Sequence, residues 1–269
     1  MQQPKNHVNI IGCAPNWTSS ALSMSDKNTL EGKSFFVMGG GKFGTNALRY
    51  LKTKGAKVLV VDINPNCKAK PEADIQADSL EVWNNLKNGQ PAFLAGDAYK
   101  LLLELYETTV PDFVVTAIQG NTIANTVHNW FIKNGFKSEP YLKGVPEVLD
   151  NLPKSMVFVR ENTAFIAASY MYPDKRCKTN CPAPKNVCAL TGRPKPASME
   201  SLLKFATFGV VDHCILFSSP LITGGLGAID GKDLCPLFKQ LETFPKPFTL
   251  ALGTACDCHG VVSLIKITK

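Results

Sequence analysis

A chain of 269 residues is longer than one average domain and too short for three, so two domains are expected. Hydrophobic residues at 45% and charged residues at 19% exclude extended disorder and a disulfide-stapled miniature. The formal charge of +7 falls on the second half: residues 1–150 hold 15 Lys/Arg against 14 Asp/Glu, and residues 151–269 hold 14 against 8.

In chain order, residues 1–32 are polar and turn-rich and read as an N-terminal arm. A short apolar strand, 34–38, then runs into glycines, a helix covers 46–54, and a second buried strand covers 57–62. Helical spacing follows at 79–87, 98–106 and 121–131, alternating with strands at 92–95 and 113–118. Such alternation predicts a parallel sheet with helices on both faces. Pro140, Gly144, Pro146 and Pro153 suggest a domain boundary near 145–155. Beyond it, strands are predicted at 156–159, 164–170, 210–217, 248–252 and 261–268, with a helix at 199–206. The expected fold is α/β: a dinucleotide-binding domain over 33–150, followed by an α+β, Cys-rich domain over 151–269.

The glycines carry the first functional signal. Gly39, Gly41 and Gly44, in the stretch Gly39-Gly-Gly-Lys42-Phe43-Gly44, fit G-x-G-x-x-G after a strand and at the start of a helix. The first glycine permits a tight turn, the second lets a pyrophosphate approach the backbone, and the third allows close helix packing. Free N–H groups at the helix N-terminus then meet the phosphate charge. Asp62 ends the next strand, where a carboxylate accepts hydrogen bonds from the adenosine ribose and repels a 2′-phosphate, so NAD is expected. Lys68 and Lys70 nearby leave NADP open. Together these features predict a Rossmann domain.

The stretch VMGGGKFGTNALRYLKTKGAKVLVVDINP, with Gly96-Asp97-Ala98 and Pro111 to Thr116, resembles the nucleotide-binding (RCK-type) domains of potassium-transport regulators. It is also similar to the NAD-binding domain of siroheme synthases. The resemblance covers about residues 33–132. It implies that Gly39, Gly41, Lys42, Phe43, Gly44 and Asp62 contact the dinucleotide, that Asp97 lines the adenine side, and that Thr116 approaches the pyrophosphate or nicotinamide ribose. The second half carries no such likeness.

Nine cysteines form the second signal. Cys177, Cys181 and Cys188 lie close together on a proline-punctuated segment, and Cys181-Pro182 is similar to the Cys-Pro pairs of ferredoxin-like loops. Three local cysteines with a distant ligand suit a [4Fe–4S] cluster, with zinc as the alternative. Cys256 and Cys258, between two predicted strands, are the candidate distant ligands; Cys214 and Cys235 are rivals, and Cys13 and Cys67 read as ordinary thiols. Lys175, Arg176, Lys178, Lys185, Arg193 and Lys195 share the segment and could offset the charge of thiolates. Only Tyr170 and Tyr172 interleave with them, so base stacking, and with it nucleic-acid binding, is not expected.

No G-x-S-x-G elbow, H-E-x-x-H pair or Walker loop occurs. No secretory leader and no run of about 18 apolar residues is seen, so a cytoplasmic protein without a membrane span is expected. Three readings follow: an NAD(H)-binding iron–sulfur redox protein, a ligand- or redox-sensing regulator with a structural metal site, and a siroheme-type dehydrogenase using Asp97 or Asp112. Expected partners are the dinucleotide, a redox protein and further copies of the chain.

Overall fold

A computed structural model describes residues 30–159, 163–171, 181, 184–223 and 226–269. Most of the predicted arm, and Cys13 and Cys177, lie outside the described residues. In chain order the elements are β1 (Ser34–Met38), α1 (Lys42–Thr53), β2 (Lys57–Asp62), β3 (Ile75–Ala77), β4 (Ala92–Ala95), α2 (Ala98–Leu105), β5 (Phe113–Thr116), α3 (Thr122–Lys133) and β6 (Lys137–Pro140). They continue with α4 (Val145–Asp150), β7 (Val157–Val159), β8 (Phe165–Ser169), α5 (Met199–Thr207), β9 (His213–Ser218), β10 (Leu221–Thr223) and β11 (Leu226–Gly227). The last are β12 (Ile229–Asp230), α6 (Gly231–Thr243), β13 (Phe248–Ala255) and β14 (His259–Thr268).

The described chain forms two compact units. The first comprises 30–122 together with Pro220–Glu242. Its six-stranded sheet has the order β12-β5-β1-β2-β4-β3, parallel throughout except for β12, which runs antiparallel to β5. β1 and β2 are near-continuous apolar runs because both sheet faces are covered. On one face Phe35, Val37, Val58 and Val60 pack against Ala47, Leu48 and Leu51 of α1. Phe238 of α6 meets Tyr106 at the end of α2, their rings 6.1 Å apart. The helical spacing at 79–87 resolves into a 3₁₀ segment over Leu80–Asn85.

The second unit comprises Ile123–Ser219 and Thr243–Lys269. Its strand order is β7-β8-β14-β13-β9; β8 covers the first half of one edge of β14 and β6 the second half. Only β9 and β13 run parallel among these pairs. α5 starts at an N-cap, Ser198, whose hydroxyl accepts the Ser201 N–H at 3.1 Å, and it buries Met199, Leu203 and Ala206. Those side chains join Val148, Ile166, Ala251, Val262 and Leu264 in one core.

The division therefore falls at 122/123 rather than near 145–155, and residues 220–242 return to the first unit. Pro140 ends β6 and Pro146 opens α4, positions where a missing N–H costs nothing, so the prolines punctuate elements of the second unit. Among the described residues no helix is long and apolar enough to cross a membrane.

Candidate functional site

Three strand ends of the first sheet converge on the glycine loop. β1 delivers Gly39, whose φ of +101° is open to glycine and strained for other residues, and whose N–H donates to Val61 O at 2.7 Å. A Cβ at Gly39 would sit 3.0 Å from Ile118 Cγ1, just beyond the end of β5. Gly40 N–H donates to Asp62 Oδ2 at 2.6 Å, which ties the loop to the end of β2. A Cβ at Gly40 would collide with Cys67 Sγ, and one at Gly44 with the Gly39 carbonyl oxygen.

Gly41 is different: nothing lies within 4 Å of the place its Cβ would take. It is the N-cap of α1 with no side-chain cap, and the first turn carries no acid. The exposed loop therefore presents uncapped N–H groups to whatever approaches, the arrangement an anion needs. Lys42 and Phe43 are exposed beside it, and Thr45 Oγ–H donates to Gly41 O at 2.7 Å.

Asp62 is half-buried; besides Gly40, it accepts Asn64 N–H on Oδ1 at 2.8 Å, which leaves each oxygen a further lone pair for a hydroxyl. Thr116 pairs with Met38 across β5 and β1, and Ala117 N–H donates to Met38 O at 2.9 Å. Gly39, Gly41, Gly44, Asp62 and Thr116 are thus brought to one end of the sheet. Asp97 caps α2 through Tyr99 and Lys100 N–H, so its role in the described structure is a helix cap.

Asp112 lies at the opposite end. Its Oδ2 accepts the N–H and hydroxyl of Ser34, the first residue of β1, at 2.9 and 2.8 Å. That removes it as a reacting carboxylate beside the glycine loop.

Among the described residues the second unit holds Cys181, Cys188, Cys214, Cys256 and Cys258, all free thiols. Cys256 and Cys258 occupy the turn between β13 and β14, where Cys256 N–H donates to His259 O at 2.8 Å and Cys258 N–H points to Cys256 Sγ at 3.4 Å. Cys188 opens a tight turn closed by Cys188 N–H to Arg193 O at 2.8 Å and Gly192 N–H to Cys188 O at 2.9 Å. Lys195 follows that turn, only 5% exposed, and its Nζ lies 3.1 Å from Cys258 Sγ. Burial pushes the Cys188 thiol up, but hydrogen bonds from the Thr191 hydroxyl and from the Thr191 and Leu190 N–H groups, with the Lys195 charge, hold it below its ordinary value. Burial pushes the Cys258 thiol up against the pull of Lys195, and the charges of Cys256 and Cys181 add to the rise. Burial, then Lys195, hold the His259 imidazole down.

Among the described residues no three His, Cys, Asp or Glu side chains already share one coordination sphere. The Cys188, Cys256 and Cys258 sulfurs instead face local donors: the Thr191 hydroxyl with the Thr191 and Leu190 N–H groups, the Cys258 N–H, and Lys195 Nζ. Cys214 is half-buried on β9 and accepts from Thr207 Oγ at 3.2 Å, and Cys235, buried within α6 of the other unit, is disulfide-bonded rather than a free thiol. Lys195 and Thr191 are the residues that sequence reasoning misses: the first is one of six basic residues there, and the second a lone hydroxyl beside a glycine.

The fold and the glycine loop define a two-domain, mixed α/β protein with a parallel sheet. The chain belongs to a two-domain family whose models, described as the C-terminal and N-terminal domains of an uncharacterized protein, match residues 123–268 and 35–118. The gap between the matches contains the 122/123 division. A protein of Archaeoglobus fulgidus, also described as uncharacterized, is 32% identical over 231 residues, spanning 86% of this chain and 98% of the relative. No solved structure matches the chain.

Proposed function

We propose that the first unit is a Rossmann domain that binds NAD(H), and that it serves a redox role coupled to a thiolate-held centre in the second unit, a [4Fe–4S] cluster with zinc as the alternative. The observation that carries the dinucleotide reading is the open Gly41 N-cap, flanked by Gly39 and Gly44, where side chains would collide, and faced by Asp62 across the sheet end. In open α/β sheets the ligand crevice lies beyond the carboxyl ends of the strands where the order reverses, here between β1 and β5. The pyrophosphate then meets the N–H groups of α1, and the Asp62 carboxylate accepts the ribose hydroxyls and repels a 2′-phosphate. We place the protein in the cytoplasm, with six of the described cysteines free and Cys235 in a disulfide.

Of the two carboxylates that a siroheme-type dehydrogenase would use, Asp112 lies at the far end of β1, tied to Ser34, whereas Asp97 follows β4 and caps α2 through Oδ1, which leaves that reading with Asp97 alone.

Calorimetric titration of the full chain with NADH and NADPH tests the proposal. NADH is expected to bind about tenfold more tightly or better, a difference of about 1.4 kcal/mol, and Gly41→Val to abolish binding without unfolding the chain. A folded wild-type protein that takes up neither dinucleotide overturns the reading.

A further inference from the structure

Among the described residues the most exposed large apolar side chain is Phe208, 83% accessible, and Phe205, one turn before it on α5, is 68% exposed. Neither ring serves the core. The buried stripe of α5 is Met199, Leu203 and Ala206, spaced i, i+4 and i+7, and Phe205 and Phe208 lie off it. Phe208 closes the helix in extended backbone, its N–H donating to Phe205 O at 3.2 Å. Gly209 then turns the chain at a φ of +76°, with nothing described within 4 Å of the place its Cβ would take. A fixed helix end thus carries both rings outward.

The surface continues onto the segment that leads into α4. A Cβ at Gly144 would sit 3.1 Å from Val210 Cγ1, two residues beyond Phe208, and Leu142 in the same turn is 49% exposed. The end of α4 is tied to α5 by Asn151 Nδ2, which donates to Ala206 O at 3.2 Å. Two phenyl rings and a leucine therefore share one face of the second unit and present about 300 Å² of apolar surface, the scale at which a patch on a soluble domain is often functional. The other exposed large apolar side chains of this unit, Ile132, Phe158 and Val187, come from three separate segments.

The border of the patch bears on what covers it. Along α5 it carries Glu200 and Lys204, an ion pair at i, i+4; along the α4 side it carries Lys143, Glu147 and Asp150, all exposed. An anionic bilayer or a nucleic acid calls for a basic border, and here two cations stand among three acids. Both signs on each side of the rings suit a second copy of the same face. A two-fold axis through the aromatic pair lays the α5 border of one molecule against the α4 border of the other, which brings Lys204 toward the acids of α4 and Glu200 toward Lys143. We propose that this face, with Phe205, Phe208 and Leu142 at its centre, is the interface of a two-fold dimer of the chain. Two such patches supply an apolar centre of about 600 Å² within the roughly 1,600 Å² of a standard interface, and the charged residues form its rim. The inference is independent of the dinucleotide and metal readings.

Sedimentation velocity of the full chain, from low to high micromolar concentration, tests this. Expected is a dimer that dissociates on dilution, and a monomer throughout when Phe205→Ser and Phe208→Ser are combined, with the far-UV circular dichroism of the folded chain retained because neither ring is in the core. Phe208→Gln alone gives the same reading at the more exposed ring should the double substitution disturb folding. Phe158→Ser, which removes an exposed ring on β7, is expected to keep the dimer. Lys204→Glu, which makes the α5 border wholly acidic, is expected to weaken dimerisation about tenfold. A wild-type chain that stays monomeric at high micromolar concentration overturns the proposal, and so does a monomer that instead binds anionic vesicles. A dimer equally tight without Phe205 and Phe208 places the contact elsewhere and overturns this face; assemblies that keep growing with concentration overturn the closed two-fold. An unchanged dissociation constant in Lys204→Glu overturns the charge match.

Discussion

Gly41 and Gly44 stand three residues apart in one motif and answer to different constraints. A methyl group at Gly44 would meet the Gly39 carbonyl oxygen, which is backbone and cannot swing aside, whereas the place beside Gly41 is empty. Gly44→Ala is therefore expected to destabilise the first unit by about 3 kcal/mol through overpacking, read as a fall in the denaturation midpoint. Gly41→Ala is expected to leave that midpoint unchanged, because its φ of −72° suits any residue, and to weaken NADH binding by obstructing the approach of phosphate to the backbone. The two variants separate fold from ligand within a single loop. The motif is legible in sequence because three glycines at that spacing after an apolar run have few other uses. The part played by Lys195 is not legible, because nothing in a row of basic residues shows which one the fold will bury against sulfur.

At the scale of elements, the clamp between β1 and β5 links stability to pH. Burial works against ionised Asp112, but the Ser34 N–H and hydroxyl, with Lys33 and Lys232, more than offset it and hold the carboxyl below its ordinary value. A carboxyl depressed in the folded state contributes stability that is present above its unfolded pKa of about 3.9 and is lost as pH falls through the lower folded value. Thermal denaturation of the wild type is expected to fall more steeply below about pH 4 than that of Asp112→Asn, which keeps an acceptor for Ser34 but no charge. Parallel slopes would show that the clamp contributes nothing through its charge. The N-cap of α5 makes a second such case: Ser198→Ala should cost about 1 kcal/mol in urea denaturation. The strands 34–38, 57–62, 92–95 and most of the second sheet are readable from apolar runs and period-2 alternation. β6 escapes that reading because four mostly exposed residues carry too short a pattern, and α6 escapes because Pro236 inside it and the glycines before it mimic a loop.

The whole molecule is organised by a chain that leaves its first unit at residue 122 and comes back at 220. β12 completes the edge of the parallel sheet against β5, and Leu234, Leu237, Phe238 and Leu241 of α6 are buried. A fragment ending at residue 150, the boundary suggested by the prolines, would expose the edge of β5 and the apolar surface that Phe238 covers at Tyr106. Such a fragment is expected to aggregate or to unfold without a cooperative transition, as judged by circular dichroism melting, while the full chain melts cooperatively. A soluble, cooperatively folding fragment would show that the returning segment is dispensable. Local periodicity and the glycine spacing were enough, from the sequence by itself, to specify the parallel βαβ core, the loop at its carboxyl end and the candidate status of the cysteines, because each depends on neighbours a few residues away. Only the tertiary structure decided where the units divide, that residues 220–242 close the first sheet, and that Lys195 lies against Cys258. Those facts depend on chain segments dozens of residues apart whose meeting is settled by the packing of the core.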